Sequence, residues 1–345
     1  MWKYVLKRIS LALVTAFIIL SISFLLIKLL PPSLPLGNDD TRYAYYVIQE
    51  NLGFMQLFTF ENVNMGKYID KGVTSGGTVF YCYEVPAFTQ YVRWLTNIVT
   101  EWDWGVSTYI NPNNPAMLII ASKLPTTISV NVFSVIFSVP LGIILGIIAA
   151  LKKNKPTDHV ISTSIMIFIS IPSFVMITVL MSVLCYGFGW LPTQWPSMSA
   201  TTAERIKGYI LPVVCLSFGS ICGYARFTRA ELCEVMASDY LLLARTKGLS
   251  KRQAILRHAL RNAMVPIVPS ILAEVIGLLG GSMILEQLYG IPGIGKLYVQ
   301  SLNAKDYNVL FVDMALFTMI GLIAGVFLDI SYGFIDPRIR MGAKK

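Results

Sequence analysis

The run ISLALVTAFIILSISFLLIKLL at residues 9–30 constrains this chain more than any other feature. A helix needs about 20 apolar residues to cross ~30 Å of hydrocarbon, and this run has them on every face. Lys3, Lys7 and Arg8 precede it, and it continues to Pro31 and Pro32 without the short core and small-residue cleavage site of a signal peptide. It therefore reads as a retained span, with Lys28 placed to snorkel toward the outer interface. Five more stretches reach the same length, at 126–151, 160–187, 209–228, 264–286 and 309–333. With 55% hydrophobic residues, 14% charged ones and a mean hydropathy of +0.62, the expectation is an all-α polytopic membrane protein with six transmembrane helices.

Lys and Arg set the expected orientation, because positive flanks stay on the cytoplasmic side. They concentrate at the N-terminus, in KKNK at 152–155, in the loop before the fifth span, and in a tail with Arg338, Arg340, Lys344 and Lys345. Six spans put all four segments on one side, so both termini are expected in the cytoplasm. Residues 31–117 then form one large external segment, in which Asp39, Asp40, Glu50, Glu61, Asp70, Glu84, Glu101 and Asp103 outnumber Arg42, Lys67, Lys71 and Arg93. The net charge of +9 reflects sidedness and does not point to nucleic acid. Tyr43, Tyr45, Tyr46, Phe54, Tyr81, Tyr83, Trp94, Trp102 and Trp104 make the segment too aromatic for a linker. A small folded insertion is expected, with a few helices and turns around Gly72–Gly77, serving to dock a partner, to cap a pore, or to pack on the bundle and lipid interface.

Covalent chemistry finds little support. Cys185, Cys215 and Cys222 fall in or near spans, Cys233 is cytoplasmic and Cys82 external, so no disulfide framework is available. His159 and His258 stand alone, and no metal site is expected. GIPGIGK at 290–296 has the spacing of a phosphate-cradling loop, but Leu297 follows where a hydroxyl would hold magnesium, and Pro292 removes a donor. The serines in the spans lie in no G-x-S-x-G elbow and suit helix–helix hydrogen bonds. Gly142, Gly146, Gly277, Gly280 and Gly281 suit close helix approach.

The remaining feature is DYLLLARTKGLSKRQAILRHALRNAMVPI, residues 239–267. Asp239 to Lys247 reads as a short helix, Gly248 as its left-handed C′ residue, and Ser250 with Gln253 as a capping box that opens a second helix. Apolar residues (Leu242, Ala244, Ile255, Ala259) alternate with Arg245, Lys247, Lys251, Arg252, Arg257 and Arg261. Such a loop serves either to insert into a partner's groove or to rest on lipid headgroups.

Asp239-Tyr240, Ala244-Arg245-Thr246-Lys247-Gly248-Leu249-Ser250, His258, Arg261-Asn262-Ala263 and Pro266 closely resemble the coupling loop of ATP-binding-cassette importer permeases of the dipeptide and oligopeptide type. Ser170–Phe174 (SIPSF), Gly189–Pro192 (GWLP), Gly281-Ser282 with Glu286, Pro292–Gly295, Asp306-Tyr307, and Asp329, Tyr332 and Asp336-Pro337-Arg338 match that family in order. The similarity covers essentially the whole chain, most strongly after residue 118. The chain departs from the family at Pro31-Pro32, where relatives have a Pro-Gly-Asp-Pro-like turn, and in its longer external segment.

The resemblance implies a type I importer permease fold in a prokaryotic cytoplasmic membrane: an N-terminal span (1–30), an extracytoplasmic insertion (31–117), and a permease core (118–345) carrying a cytoplasmic coupling loop (229–263). It implies as partners a second homologous permease, two cytoplasmic ATPase subunits, an external binding protein and a peptide. ATP and Mg would sit on the partner ATPases, leaving this chain non-catalytic and without a cofactor. Asp239, Tyr240, Ala244, Arg245, Lys247, Gly248, Leu249 and Ser250 would couple to the ATPase, and Ser170, Ser173, Glu274 and Ser282 are candidates for the translocation path. Glu274 lies near the middle of the fifth span, where an acid costs roughly 2.5 to 3.5 kcal/mol on insertion scales. It either faces a cavity that takes a peptide's amino group, or is a buried acid that is paired or protonated. Nickel or small-ligand importers of the same family are the alternative cargo class, and a secondary transporter is the more distant one.

Overall fold

The computed structural model describes residues 2–29, 35, 37–61, 67–197 and 199–335. The Pro31-Pro32 departure, the Asp336-Pro337-Arg338 motif and the basic tail lie outside the described residues. Among the described residues five helices are long and apolar enough to cross a membrane: α1 (Trp2–Leu29), α4 (Ala116–Leu151), α7 (Thr202–Met236), a helical run from Lys251 to Gly277, and α13 (Tyr307–Ile335). A sixth span is formed if α5 (Pro156–Ser170) and α6 (Ser173–Leu180), bent by 99° at their junction, count as one. Proline explains the bend. Pro172 caps α6 and offers no N–H to α5, and Ile171 before it is extended at φ −83°, ψ 119°. The third span expected at 160–187 is therefore broken at the SIPSF motif, and it ends in a π-helical stretch, Met181–Gly187.

Several expected boundaries move outward. α4 starts ten residues before 126 and carries Pro125 and Pro140 inside it. α7 extends past both ends of 209–228, opened by a capping box in which Thr201 and Glu204 satisfy each other's backbone N–H groups. The fifth span moves the other way: it ends at Gly277, followed by a single turn at Leu278–Gly280 and the short helix α11 (Met283–Tyr289). α12 (Ile294–Ala304) follows.

The chain divides into two compact units. The first comprises Met1–Ala12, Leu124–Lys296 and Ile320–Lys345. Within it α4 and α7 approach closely, because a Cβ on Gly142 would stand 2.8 Å from the Ile221 carbonyl and one on Gly146 2.6 Å from that of Ala225. Gly277 and Gly280 have open space instead, so the close-approach role is not theirs, whereas Gly281, at φ +62°, does sit at a close approach: a Cβ there would stand 2.8 Å from Glu286 Oε1 and 3.0 Å from the Thr127 methyl of α4. Ile177, Cys185, Leu211, Cys215, Leu285 and Tyr289 form a core joining α6, the π-helical stretch, α7 and α11. Arg229 of α7 holds Asp158 of α5 with bonds of 2.6 and 2.8 Å, and Asp158 also accepts from the Asn154 N–H and the Ser162 hydroxyl.

The second unit comprises Leu13–Lys123 and Leu297–Met319. The insertion folds as expected of its aromatics, but it contains a sheet as well as helices. α2 (Asp39–Asn51) is capped by Asn38. Strands β1 (Met55–Phe58), β2 (Lys67–Val73) and β3 (Val79–Glu84) pair antiparallel in the order β1-β3-β2. Gly76 and Gly77 lie in the turn of the β2–β3 hairpin, while Gly72 is a residue of β2 paired with Phe80. Arg42 bridges Asp39 and Asp70, and the Tyr46 hydroxyl donates to Asp70 at 2.8 Å, so part of this segment's acid excess is spent inside the fold. Cys82 lies at the sheet centre with no exposure, and burial pushes its thiol up to about 12. α3 (Ala87–Glu101) packs along α1, where Trp94 stacks on Phe24 at 4.8 Å between ring centroids. Lys28, expected to reach headgroups, instead places its ammonium 3.4 Å from the centre of the Phe54 ring.

A buried carboxylate closes this unit. Asp306, with no exposure, accepts from the Ser107 hydroxyl at 2.5 Å and from the backbone N–H groups of Thr108, Tyr109 and Ile110 at 3.2, 3.0 and 3.0 Å. Asn308 adds a bond to the Val106 carbonyl. The Asp306-Tyr307 motif thus fastens the end of the insertion to the start of α13.

Candidate functional site

The loop at 239–267 is built as its residues require. α8 (Asp239–Thr246) begins after Ser238 with Asp239 in its first turn, where a carboxylate favours the helix dipole. Lys247 caps it, and Gly248 follows at φ +95°, a backbone state that glycine adopts without penalty. Ser250 and Gln253 form the expected capping box, at 3.1 and 3.3 Å, opening α9 (Lys251–Ala254). A π-helical turn, Ile255–Ala259, then leads into α10 (Leu260–Gly277).

The apolar face divides differently from expectation. Ile255 and Ala259 are buried in the chain's own core, and Ala259 packs with Ala150, Leu232, Leu241, Ala254 and Ala263. They cannot also enter a partner. The reason is the π turn, which carries these side chains inward as the loop re-enters the bundle. Left outside are Tyr240, Leu242 and Leu243, exposed by 40%, 61% and 57%, beside exposed Asp239, Arg245, Lys247 and Ser250. Ala244 and Leu249 are half-buried. A hollow of ≈ 230 Å³ between α8 and α9 is rimmed by Asp239, Arg245 and Lys251. A rigid two-helix element, seated on α4 and α7 and showing an apolar tip with a basic rim, can dock as one body.

The four path candidates are placed singly. Ser170 and Ser173 flank the α5–α6 break; Ser170 donates to the Met166 carbonyl, and Ser173 is exposed. Ser282 is the residue that caps α11. Glu274 lies three residues from the end of α10 rather than mid-span, is half-buried, and accepts from the Ser220 hydroxyl of α7 at 2.6 Å.

A buried acid outside that set organises the neighbouring turn. Glu286 of α11 accepts from the Thr127 hydroxyl of α4 at 2.9 Å and from the Lys296 N–H at 3.0 Å, while the Ile294 N–H donates to Thr127 Oγ1 at 3.0 Å. Burial raises its carboxyl above the usual range, and these donors oppose that shift. The amides of the phosphate-loop look-alike are thus taken within the protein, Lys296 N–H by Glu286, Ile294 N–H by Thr127 and Gly293 N–H by the Ile291 carbonyl. In the sequence Glu286 stands out only as part of the Gly281-Ser282 motif, and neither its role nor that of Thr127 is among the expectations. The signal was present: an acid five residues after a Gly-Gly turn, followed by Gly-x-x-Gly-x-Gly, has backbone donors within reach. Among the described residues no group of three or more His, Cys, Asp or Glu could hold a metal ion.

Residues 142–341, more than half of the chain, match the family described as binding-protein-dependent transport system inner membrane component. The chain belongs to that family. This ABC permease is 30% identical over 342 residues to the dipeptide transport system permease protein DppB of Lactococcus lactis subsp. cremoris, covering 99% of this chain and all of that protein. It is 30% identical to the oligopeptide transport system permease protein OppB of Haemophilus influenzae, over 99% of this chain and all of that protein. It is also 30% identical to the glutathione transport system permease protein GsiC of Escherichia coli K12, over 99% of each. Among solved structures, an inward-facing form of the MetNI methionine ABC transporter matches with a TM-score of 0.51 at 17% identity, over 64% of this chain and 97% of that one. That likeness concerns the fold, and it agrees with a type I importer permease. The chain is a multi-pass membrane permease.

Proposed function

We propose that this permease imports peptides, delivered by an external binding protein, in a complex with a second permease and two cytoplasmic ATPase subunits. The observation that carries the proposal is the α8–Gly248–α9 element, whose exposed Tyr240, Leu242 and Leu243 are ringed by Arg245 and Lys247 and backed by the chain's own core. Full-length relatives named for dipeptides, oligopeptides and glutathione support the cargo class. ATP and Mg bind the partner ATPases, and this chain carries no cofactor. ATP binding closes the ATPase pair, the seated loops follow as rigid levers, and the spans alternate between outward and inward access. Both termini and the coupling loop face the cytoplasm, and the insertion faces outward. Ser170, Ser173, Glu274 and Ser282 lie along the path, with Glu274 accepting the peptide's amino group.

Purification of the tagged chain in mild detergent tests this. A second permease and ATPases should co-purify, and peptide should elute with the binding protein. Recovery of the chain alone, in a form that transports without ATP, would refute the proposal.

A further inference from the structure

α3 presents a face that the rest of the described chain leaves open. Phe88, Val92 and Val99 are exposed by 72%, 45% and 75%, and spacings of four and seven residues place them on one side of the helix. The other side is fixed. Gln90 donates to the Val85 carbonyl at 2.7 Å, the Tyr91 hydroxyl shares a 2.8 Å hydrogen bond with Ser21, and Trp94 stacks on Phe24.

Those contacts set the depth of α3. Ser21 and Phe24 lie eight and five residues before Leu29, where α1 ends. At 1.5 Å per residue they sit about 12 and 7.5 Å inside that end of the span. Leu25 and Leu26, beside them on α1, are also exposed and belong to an apolar helix long enough to cross a membrane. The open face of α3 therefore continues a surface already committed to hydrocarbon.

The polar groups along α3 behave as hydrocarbon demands. The hydroxyls of Thr96 and Thr100, next to the apolar stripe, donate back to the carbonyls of Val92 and Thr96 at 2.9 Å each, which leaves neither proton unmet away from water. Arg93 turns its guanidinium to the Gly53 carbonyl at 3.2 Å. Trp102, 64% exposed just after the helix, suits the headgroup level where indoles gather.

We propose that α3 is an interfacial helix, with Phe88, Val92 and Val99 among the acyl chains of the leaflet at the C-terminal end of α1. The insertion is then anchored by lipid as well as by α1.

The test uses the assembled complex in vesicles of phosphatidylethanolamine and phosphatidylglycerol. Nitroxide labels are placed at Phe88→Cys and, separately, Val99→Cys, with Cys233→Ser to silence the partly exposed native thiol. Val92→Cys substitutes should either label block assembly. Both labels should be relaxed several-fold more by oxygen, which partitions into lipid, than by a water-soluble nickel chelate, and a label at hairpin Gly76→Cys should show the reverse. Stronger relaxation by the nickel chelate at Phe88 and Val99 would mean a watery face. Protection from both relaxants would mean that a protein partner covers it. Either result overturns the proposal.

Discussion

Replacing Gly248 with valine tests the coupling element at its weakest backbone position. At φ +95° the residue lies beyond the left-handed window of roughly +50 to +70° open to L-residues. Such strained states cost about 1 to 3 kcal/mol. A Cβ built there meets nothing within 4 Å, so no clash adds to this figure and the whole effect is conformational. At about 1.4 kcal/mol per tenfold, the ratio of seated to unseated loop should fall roughly 5- to 150-fold. α8 has eight residues, too few to hold its own helix in water, so the strain is relieved by unseating α8 rather than by deforming the spans. Gly248→Val should still insert in the membrane. ATP-driven transport should drop by one to two orders of magnitude, with ATPase subunits lost on purification or unresponsive to loaded binding protein. Asparagine, which tolerates positive φ, should be mildest, alanine intermediate and valine worst, while Arg252→Gln should matter little. The assay is peptide uptake in vesicles together with ATPase retention. Normal uptake and full ATPase retention in Gly248→Val would show that this turn has no coupling role.

Glu274→Gln keeps the shape and the Ser220 contact but removes the charge; uptake of peptides with a free amino group should fall while assembly and basal ATP hydrolysis persist, and loss of the complex would instead make Glu274 a structural acid. Thr127→Val leaves Glu286 short of one donor and the Ile294 N–H unpaired, each roughly 1 to 3 kcal/mol, so the thermal midpoint in detergent should fall clearly, whereas Thr127→Ser should restore it; an unchanged midpoint would contradict the clasp. Cys82 is too buried to report sidedness, but Gly76→Cys should react with an impermeant thiol reagent from outside intact cells and Lys251→Cys should not, and the opposite pattern would invert the orientation.

Sequence alone exposed the spans because hydrocarbon demands long apolar runs, and it exposed the helix–glycine–helix form of the 239–267 loop because capping residues and a glycine act locally. Ser250, Gln253 and Gly248 do in the structure what their types and spacing imply. What stayed hidden depends on contacts distant in sequence. Nothing local says that Ile255 and Ala259 turn inward, since that follows from a π turn and from alanines on α4 and α10. Glu286 meets Thr127 across 159 residues, and Asp306 meets Ser107 across 199. The break at Pro172 and the capping box at Thr201 and Glu204 were legible, yet hydropathy ran smoothly through the first and stopped short of the second. The sheet was obscured by its short strands, of which β1 has four residues, set among aromatics that suit helix and strand alike.

Uptake by the reconstituted complex tests the central claim most directly. Proteoliposomes containing this permease, its partner permease and the ATPases should accumulate a labelled peptide only with ATP inside the compartment that holds the ATPases and binding protein on the other face. Accumulation driven by an ion gradient, without ATP or binding protein, would contradict the account.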